Sequence, residues 1–390
     1  IFGTAEEDAY RRDLTINSLF YNIKSKSVED FTGRGVEDLK SGVIVTPLPP
    51  KATFLDDPLR VLRAIRFGAR FGFILDDALR QAAADEEVKA AITNKISRER
   101  IGHEIDLMIS DNQPVKAMAD ICDLQLFWAV FTLPHDSEPT ITEGTDRLCV
   151  EYMDAAWNLV HSLGYSTFND DHCRLYLYVA LLLPLRKLIY RDKKCKEIPV
   201  ANYVFRNSLK LKAGDAEAVV SLHGALEKCI SLIDFLESSE TSDTGQAELG
   251  DDFLDIPPAS ESRVLAGLFL RQIKDLWPVA LLISTLLYPK ADHIESFLAK
   301  NFQLNHAREM YRRVREIIVN ELGLDKVWEV KPLLKGDKIM QALNLTTGGP
   351  QIREWQQRLL QWQLAHPGRT EEDAIGWIEG LLNAKRVKLN

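Results

Sequence analysis

The chain has 390 residues, of which 46% are hydrophobic and 27% charged, a composition typical of a soluble globular protein with two or three domains. The five cysteines are scattered and form no Cys-x-x-Cys pair, which argues against a disulfide framework and against a zinc site. No apolar run reaches the length of a membrane span, so we predict no membrane partner.

The net charge of -9 comes from one segment of the chain. Residues 234–261 contain nine acidic side chains and no lysine or arginine, and the remainder of the chain is neutral. The segment is rich in Ser, Thr, Gly and Pro, which is typical of a disordered, solvated loop. The overall charge therefore does not exclude binding to nucleic acid.

The first fifty residues combine a helix with short strands. Residues 4–7 match a capping box, in which a threonine and a glutamate satisfy the free amides of a helix start, and a short helix is predicted over 8–12. β-Prone runs at 19–23 and 28–31 predict a hairpin, and 43–45 predicts a further short strand before a group of prolines.

From residue 56 onwards the apolar residues recur at helical spacing, and strand signals are almost absent. The predicted helical segments are 59–69, 101–108, 153–163, 175–183, 216–236, 263–287, 307–322, 351–365 and 371–383. They follow no fixed repeat length, which argues against a solenoid of identical units. The predicted fold class is mainly α, with a small α/β part followed by a long helical body.

Four polar clusters in the first 105 residues can carry chemistry. In the first, Arg11 and Arg12 adjoin Asp13 where a helix meets a strand, and Asn17 follows. The planar guanidinium suits phosphate oxygens, and a carboxylate beside it can accept a hydrogen bond from a ribose hydroxyl. A local Arg/Asp ion pair is the alternative interpretation.

The second cluster begins with Asp57, which precedes a proline and so predicts an N-cap with proline at the first helical position. Along one stripe of that helix follow Arg60, Arg63, Arg66 and Arg70. A carboxylate with an arginine one turn later can present an acceptor and several donors to the edge of a base. A simple cap with a solvated arginine face explains the pattern equally well.

The third and fourth clusters are weaker when taken singly. Gly33 and Gly35 lie in a turn between a strand and a helix, where glycines permit unusual backbone angles and could form a hinge. A plain turn is the alternative. Ser97 predicts the start of a helix that carries Arg100 and Glu104 one turn apart, a spacing that commonly supports the helix itself.

Taken together and in this order, the clusters resemble motifs B to E of class II tRNA nucleotidyltransferases, the CCA-adding enzymes. The matching patterns are R-R-D-x-x-x-N at 11–17, the glycine turn at 30–39, D-D-x-x-R at 56–60 and S-R-E-R-x-x-x-E at 97–104. The fuller strings are similar to the eukaryotic, especially the fungal, branch. The resemblance is tight over residues 1–110 and looser through the helical remainder.

The resemblance implies the remnant of an α/β polymerase-β-like nucleotidyltransferase head, followed by an all-helical neck, body and tail. The head would occupy 1–50 with motifs B and C, and the neck 51–135, where motifs D and E bind nucleotide and primer. The body would occupy 136–330, including an acidic disordered loop at 234–261, and a tRNA-binding tail 331–390.

The resemblance also implies roles for single residues. The nucleotide-binding residues would be Arg11, Arg12, Asp13, Asn17, Asp57, Arg60 and Arg63. Arg12 and Asp13 would contact the sugar and phosphates, while Asp57 and Arg60 would pair with the base of CTP or ATP. Arg63 would help Asp56 to hold Arg60. Arg100 and Glu104 would give further structural support. Gly33 and Gly35 would form a hinge that lets the base-pairing residues Asp57 and Arg60 switch from C to A.

The implied reaction is attack of the tRNA 3′-hydroxyl on the α-phosphate of CTP or ATP, assisted by two Mg²⁺ ions that an Asp-x-Asp pair holds. No Asp-x-Asp occurs in these 390 residues. In family order the pair precedes motif B, so we expect the metal ligands upstream of Ile1. We accordingly expect no catalytic or metal-binding residue within residues 1–390, and no activity from them alone.

The implied partner is tRNA, bound at its 3′ end and along its acceptor stem and elbow, in the mitochondrion, cytoplasm or nucleus. The spacing of Trp355, Trp362 and Trp377 in the tail favours core packing over base stacking. Two alternatives stay open. One is a CC-adding or A-adding specialist, or a poly(A) polymerase, of the same superfamily; the other is a noncatalytic helical RNA-binding protein.

Overall fold

The computed structural model describes residues 3–134, 140–164, 168–238, 256–288, 300–345 and 347–387. The chain forms two compact units, Ile1–Gly224 and Ala225–Asn390. Helices dominate both units, which confirms the mainly α fold class. No helix within the described ranges is long and apolar enough to cross a membrane. The finer boundaries at 50, 135 and 330 stay predictions.

The N-terminal part of the first unit contains the predicted capping box and hairpin. Thr4 Oγ1 accepts from the Glu7 amide at 3.1 Å, and Glu7 Oε2 accepts from the Thr4 amide at 2.7 Å. Because the cap lies at Thr4, the first helix begins earlier than the predicted range 8–12. The elements are α1 (Ala5–Tyr10), β1 (Leu19–Asn22), the antiparallel β2 (Ser27–Asp30) and α2 (Gly35–Ser41).

Three helices carry the remaining polar clusters: α3 (Pro50–Asp56), α4 (Leu59–Phe71) and α7 (Arg98–Ile109). The apolar stripe of α4 is fully buried at Leu62 and Ile65, which fixes the helix and hence the positions of its arginines.

The part of the chain predicted to be all helical also contains short strands. β3 (Val43–Ile44) pairs in parallel with β4 (Ile74–Leu75), and β5 (Ile189–Arg191) forms an antiparallel hairpin with β6 (Glu197–Pro199). Strands of two or three residues are too short for an alternating apolar pattern to reveal them. The expectation of an all-helical neck and body is therefore wrong at β4, β5 and β6.

The other helices of the first unit are α5 (Asp77–Ala83), α6 (Glu86–Lys95), α8 (Pro114–Asp123), α9 (Phe127–Val130), α10 (Thr145–Leu163), α11 (Asp170–Leu181) and α12 (Val200–Tyr203). The unit boundary falls within α13 (Ala213–Ser238). The second unit continues with α14 (Glu261–Ile273), α15 (Trp277–Leu287), α16 (Lys300–Glu316), α17 (Gly336–Ala342), α18 (Pro350–Ala365) and α19 (Glu371–Val387). The predicted segment 263–287 forms two helices because Lys274 adopts a positive φ of 52° between them.

The acidic segment 234–261 is a loop only in part. Helix α13 extends to Ser238, and its apolar residues Ile233 and Leu236 are buried, so the first acidic residues of the segment are helical. Burial of this apolar stripe outweighs the acidic local composition. Residues 239–255 lie outside the described residues, and the predicted disorder there stays a prediction.

The three tryptophans of the tail belong to the core of the second unit. Trp362 is buried with Leu359 and Ile378, while Trp355 and Trp377 pack against this cluster. The ring centroids of Trp362 and Trp377 are 5.3 Å apart in a stacked arrangement. The prediction of core packing is confirmed.

Candidate functional site

The first unit contains a cleft of about 610 Å³ where the polar clusters meet. Its lining residues are Arg11, Arg12, Asp13, Asn17, Asp57, Leu59, Arg60, Arg63, Phe67 and Arg100. The structure thus brings together every residue that the resemblance implies for nucleotide binding. It adds Arg100, to which the resemblance assigns a supporting role. The volume falls within the range of about 300 to 1,000 Å³ that is typical of small-molecule sites.

Asp13 is nearly buried in this cleft, with 8% of its surface exposed, and three donors hold it. Its Oδ1 accepts from the Leu14 amide at 2.9 Å and from Asn17 Nδ2 at 3.2 Å. Its Oδ2 accepts from Arg63 Nε at 2.7 Å. Since a carboxylate can accept about four hydrogen bonds, Asp13 has a fixed orientation and can still accept from a ligand.

Arg11 and Arg12 form ion pairs with Asp8 at the end of α1. Arg12 Nη2 lies 2.8 Å from Asp8 Oδ2, and Arg12 Nη1 donates to the Asn17 carbonyl oxygen at 3.1 Å. Hydrogen bonds from these arginines, chiefly from Arg12, lower the pKa of Asp8. The local ion pair considered from the sequence is therefore present, but its acid is Asp8 rather than Asp13.

Asp57 occupies the junction between α3 and α4. Its Oδ1 accepts from the Leu59 amide at 3.2 Å, and its Oδ2 accepts from Arg100 Nη2 at 3.0 Å. The helix begins one residue later than predicted, with Pro58 as the N-cap. The residue before a proline favours extended backbone, and Asp57 adopts it with φ -134° and ψ 98°.

Arg60 reaches from α4 to the end of α1. Its Nη2 donates to the Arg11 carbonyl oxygen at 2.7 Å and lies 3.5 Å from Asp56 Oδ2. Arg63, to which the resemblance assigns the holding of Arg60, pairs with Asp13 instead. A guanidinium carries five N–H groups, so Arg60 keeps donors for a ligand after these contacts.

Glu104 is 4% exposed and joins two arginines of α4. Its Oε2 lies 2.6 Å from Arg66 Nε, and its Oε1 lies 3.6 Å from Arg63 Nη1. Arg100 contacts Asp57, whereas Glu104 contacts Arg66, so the two residues stabilise different side chains. They do not act as the one-turn helix pair that their spacing suggests.

The glycine turn before α2 is held by many contacts. Gly33 has a φ of 71°, a backbone angle that favours glycine. Position 35 requires glycine for a steric reason, because a Cβ there would lie 2.6 Å from the Thr15 carbonyl oxygen. Burial opposes ionisation of Asp30, but hydrogen bonds from the Val36 and Thr32 amides and from the Thr32 hydroxyl outweigh it and lower the pKa of Asp30. The predicted unusual backbone angle is thus found at the first glycine alone.

Phe67 lines the cleft but was not singled out in the sequence. The guanidinium carbons of Arg66 and Arg63 lie 4.4 and 5.5 Å from its ring centroid. An aromatic residue four positions after an arginine on one helix is the signal that indicates such a contact. Among the described residues, no three His, Cys, Asp or Glu side chains are grouped closely enough to hold a metal ion.

Comparison with known proteins places these observations in a family context. Residues 2–45 match the family model described as Poly A polymerase head domain. The chain is 30% identical over 398 residues to the Saccharomyces cerevisiae protein named CCA tRNA nucleotidyltransferase, mitochondrial, and the alignment covers 98% of this chain and 70% of the relative.

Solved structures share the fold. A CCA-adding enzyme of Bacillus stearothermophilus in complex with CTP superimposes with a TM-score of 0.60 at 16% identity, covering 100% of this chain and 77% of that chain. A Thermotoga maritima CCA-adding enzyme in complex with tRNA superimposes with a TM-score of 0.54 at 19% identity, covering 97% and 74%. At these identities the likeness concerns the fold.

Proposed function

Because this chain belongs to the CCA tRNA nucleotidyltransferase family, we propose that it serves the addition of C, C and A to the 3′ end of tRNA from CTP and ATP. The cleft of the first unit would hold the incoming nucleotide. The observation that carries this assignment is the convergence of Asp13, Asp57 and Arg60 on one cleft, although they come from separate motifs. The rival CC-adding, A-adding, poly(A) and noncatalytic interpretations are less well supported.

The base would be selected by Asp57 and Arg60. Cytosine and adenine both present an exocyclic amino group beside a ring nitrogen that accepts a hydrogen bond, whereas uracil and guanine present a carbonyl beside a ring N–H. A carboxylate next to a guanidinium complements the first arrangement and repels the second. One pair of side chains can therefore accept CTP and ATP while rejecting UTP and GTP.

A second group of cleft residues would hold the sugar and phosphates of the nucleotide. Asp13 can accept from a ribose hydroxyl, and Arg11 and Arg12 can donate to phosphate oxygens. Asn17 supports Asp13 through its 3.2 Å hydrogen bond. Arg63 fixes the same carboxylate from α4, so its proposed role is to position Asp13.

Separate residues would support the base-binding side chains and the sugar-binding side chain Asp13. Among the base-binding residues, Arg100 holds Asp57, and Asp56 holds Arg60. Glu104 holds Arg63, which in turn holds the sugar-binding Asp13, so Glu104 supports sugar binding indirectly. The turn at Gly33 and Gly35 is proposed as the element that adjusts during the switch from C to A.

The family reaction also implies magnesium, which assists attack and departure at the phosphorus atom. The described residues offer no cluster of three acidic or other metal-binding side chains, and the Asp-x-Asp pair that the family reaction uses does not occur in residues 1–390. No magnesium ligand is assigned here. The functions proposed for residues 1–390 are nucleotide selection and tRNA binding.

tRNA is the proposed macromolecular partner, with the neck (51–135) receiving its 3′ end and the body (136–330) and tail (331–390) following the acceptor stem and elbow. All tRNAs must be accepted, so recognition is expected to follow backbone shape rather than sequence. The mitochondrial relative supports an intracellular location that includes mitochondria.

A tRNA lacking its 3′ CCA distinguishes this function from its rivals. A version extended upstream of Ile1 to include the expected metal ligands, supplied with CTP and ATP, should lengthen that tRNA by three nucleotides. A single added A, two added Cs or a long A tail would each support a rival enzyme, and no addition would support a noncatalytic protein.

The role of Asp57 can be tested in the same assay. Asp57→Ala should reduce the preference of kcat/KM for CTP over UTP by about tenfold or more, the value of one charged hydrogen bond, while the Kd for tRNA stays unchanged. Asp77→Ala, an exposed acid on α5 outside the cleft, is the control and should keep the wild-type preference. An unaltered preference in Asp57→Ala would contradict the role in base selection.

A further inference from the structure

The second unit contains a pocket of about 200 Å³ in which arginines converge. Arg263 and Arg271 extend from α14, and Arg369 extends from the turn between α18 and α19. Among the described residues that line the pocket, Asp325 is the single carboxylate. These three arginines form what we call the arginine cluster.

Two members of the arginine cluster bond to the backbone instead of to acids. Arg263 Nε donates to the Leu364 carbonyl oxygen at 2.9 Å. Arg271 Nη1 donates to the carbonyl oxygens of Val327 and Val330, each at 2.8 Å. Within the described part of the chain neither side chain forms an ion pair with a carboxylate, and burial lowers the pKa of both.

An arginine of the first unit shows the opposite arrangement. Arg174 Nε lies 2.6 Å from Asp106 Oδ1, and its Nη1 lies 2.9 Å from Asp215 Oδ2. Burial disfavours its charge, but these acids outweigh burial and raise the pKa of Arg174. The chain itself neutralises the charge of Arg174. In the arginine cluster Arg369 lies 3.6 Å from Asp373, but Arg263 and Arg271 have no carboxylate partner among the described residues and keep a positive charge that arginine cannot release near neutral pH.

The chemistry and size of the pocket indicate the ligand. A guanidinium has five N–H groups, so Arg263 and Arg271 keep donors after bonding to carbonyl oxygens. Phosphate oxygens accept such donors in pairs. The volume lies below the range of about 300 to 1,000 Å³ that is typical of whole small-molecule ligands, but a single phosphate group needs less room.

We propose that the arginine cluster binds a phosphate group of the tRNA backbone. The assignment rests on the proposed function, since an enzyme that accepts every tRNA must use features that all tRNAs share, and backbone phosphates are such features. A bound phosphate would also offset the cost of burying guanidiniums without acids. Within the proposed tRNA-binding body and tail, this contact would then be made by α14 and by the turn between α18 and α19.

The salt dependence of tRNA binding tests the cluster. Arg369→Gln is the primary variant, because 56% of this side chain is exposed and its loss should leave the fold intact. Its 3.6 Å ion pair with Asp373 is a weak surface pair, so the guanidinium stays available to a phosphate. In a plot of log Kd for tRNA against log KCl concentration, the slope should fall by about 0.7 to 0.9, the contribution of one phosphate contact. Arg312→Gln, at a similarly exposed arginine of α16, should keep the wild-type slope. An unchanged slope in Arg369→Gln, or equal losses in both variants, would overturn the assignment.

Inorganic phosphate separates an RNA site from a site for a free anion. At constant ionic strength, phosphate should raise the Tm of the wild-type protein and compete with tRNA, and both effects should weaken in Arg369→Gln. Stabilisation by phosphate with an unchanged tRNA slope would identify a small-anion site and overturn the RNA assignment.

The test also separates this inference from the proposed function. CCA addition that persists alongside an unchanged slope would reject the arginine cluster alone. A reduced slope in Arg369→Gln, without any CCA addition by a version that also carries the expected upstream metal ligands, would keep the RNA contact and reject the enzymatic function.

Discussion

Each arginine that lines the cleft in the first unit contacts a carboxylate, whereas Arg263 and Arg271 of the arginine cluster in the second unit bond to backbone carbonyl oxygens. Arg63 and Arg66 share Glu104, and Arg100 contacts Asp57. By contrast, Arg263 and Arg271 bond to the carbonyl oxygens of three loop and helix residues.

The difference separates two uses of one side chain. An arginine paired with an acid contributes little net charge, but it fixes the orientation of that acid, and a fixed acceptor can discriminate between bases or sugars. An arginine bonded to carbonyl oxygens keeps its charge and can attract a polyanion without reading its sequence. We therefore expect changes in the cleft to alter selectivity and stability, and changes in the cluster to alter affinity and its salt dependence.

The largest expected effect is that of Glu104→Gln. The amide keeps the shape of the side chain but leaves buried Arg66 without its acid, and removal of one partner from a buried pair costs about 3 to 5 kcal/mol. Urea denaturation should show a loss of this size. Because Glu104 also contacts Arg63, which holds Asp13, the preference for CTP over dCTP should fall as well.

Glu99→Gln on the same helix is the matched control. Glu99 is exposed, and its replacement should change the free energy of unfolding by less than about 0.5 kcal/mol. Equal stabilities of the Glu104→Gln and Glu99→Gln proteins would mean that the buried pair does not support the cleft.

A smaller effect, confined to selectivity, is expected for Arg100→Gln. The guanidinium is 51% exposed, so loss of its ion pair should cost less than about 1 kcal/mol of stability. Without this donor, however, the Leu59 amide alone holds the Asp57 carboxylate, whose orientation is then less fixed. The CTP over UTP preference of kcat/KM should therefore fall about tenfold, as for the loss of one charged hydrogen bond.

Arg70→Gln controls for the loss of one positive charge near the cleft. Arg70 lies on α4, is 53% exposed and contacts Asp111 at 3.8 Å, outside the cleft. Its replacement should leave base preference intact. A comparable fall in both variants would assign the effect to overall charge rather than to the orientation of Asp57.

Local features of the fold and of the site were predictable from the sequence. The capping box at Thr4 and the hairpin of β1 and β2 depend on neighbouring residues, and the structure contains both. The polar residues of the cleft were also identified, because their motifs occur together and in the family order, whereas Phe67 was missed. The short strand β4 was missed because its two residues pair with β3, which lies far away in sequence.

The pairing of charges could not be predicted in the same way. Asp57 and Arg100 are 43 positions apart, and Asp13 and Arg63 are 50 apart. The first contact depends on how α7 packs beside the start of α4, and the second on how the segment after α1 packs against α4. Helical spacing suggested a pair between Arg100 and Glu104, which instead serve different partners. The arginine cluster gave no sequence signal, since its members come from α14 and from a turn about one hundred positions later.

The smallest expected effect has the opposite sign and concerns Asp325, the acid in the pocket of the arginine cluster. A phosphate near this exposed carboxylate experiences repulsion that water partly screens, so Asp325→Asn should strengthen tRNA binding by about twofold at low salt. Glu316→Gln, which removes an exposed acid from α16, should produce no such gain. Measurement of Kd at 50 and 200 mM KCl should show the gain shrinking as salt rises. Weaker binding by Asp325→Asn would mean that this carboxylate orients the arginines, and the cluster would then resemble the paired arginines of the cleft.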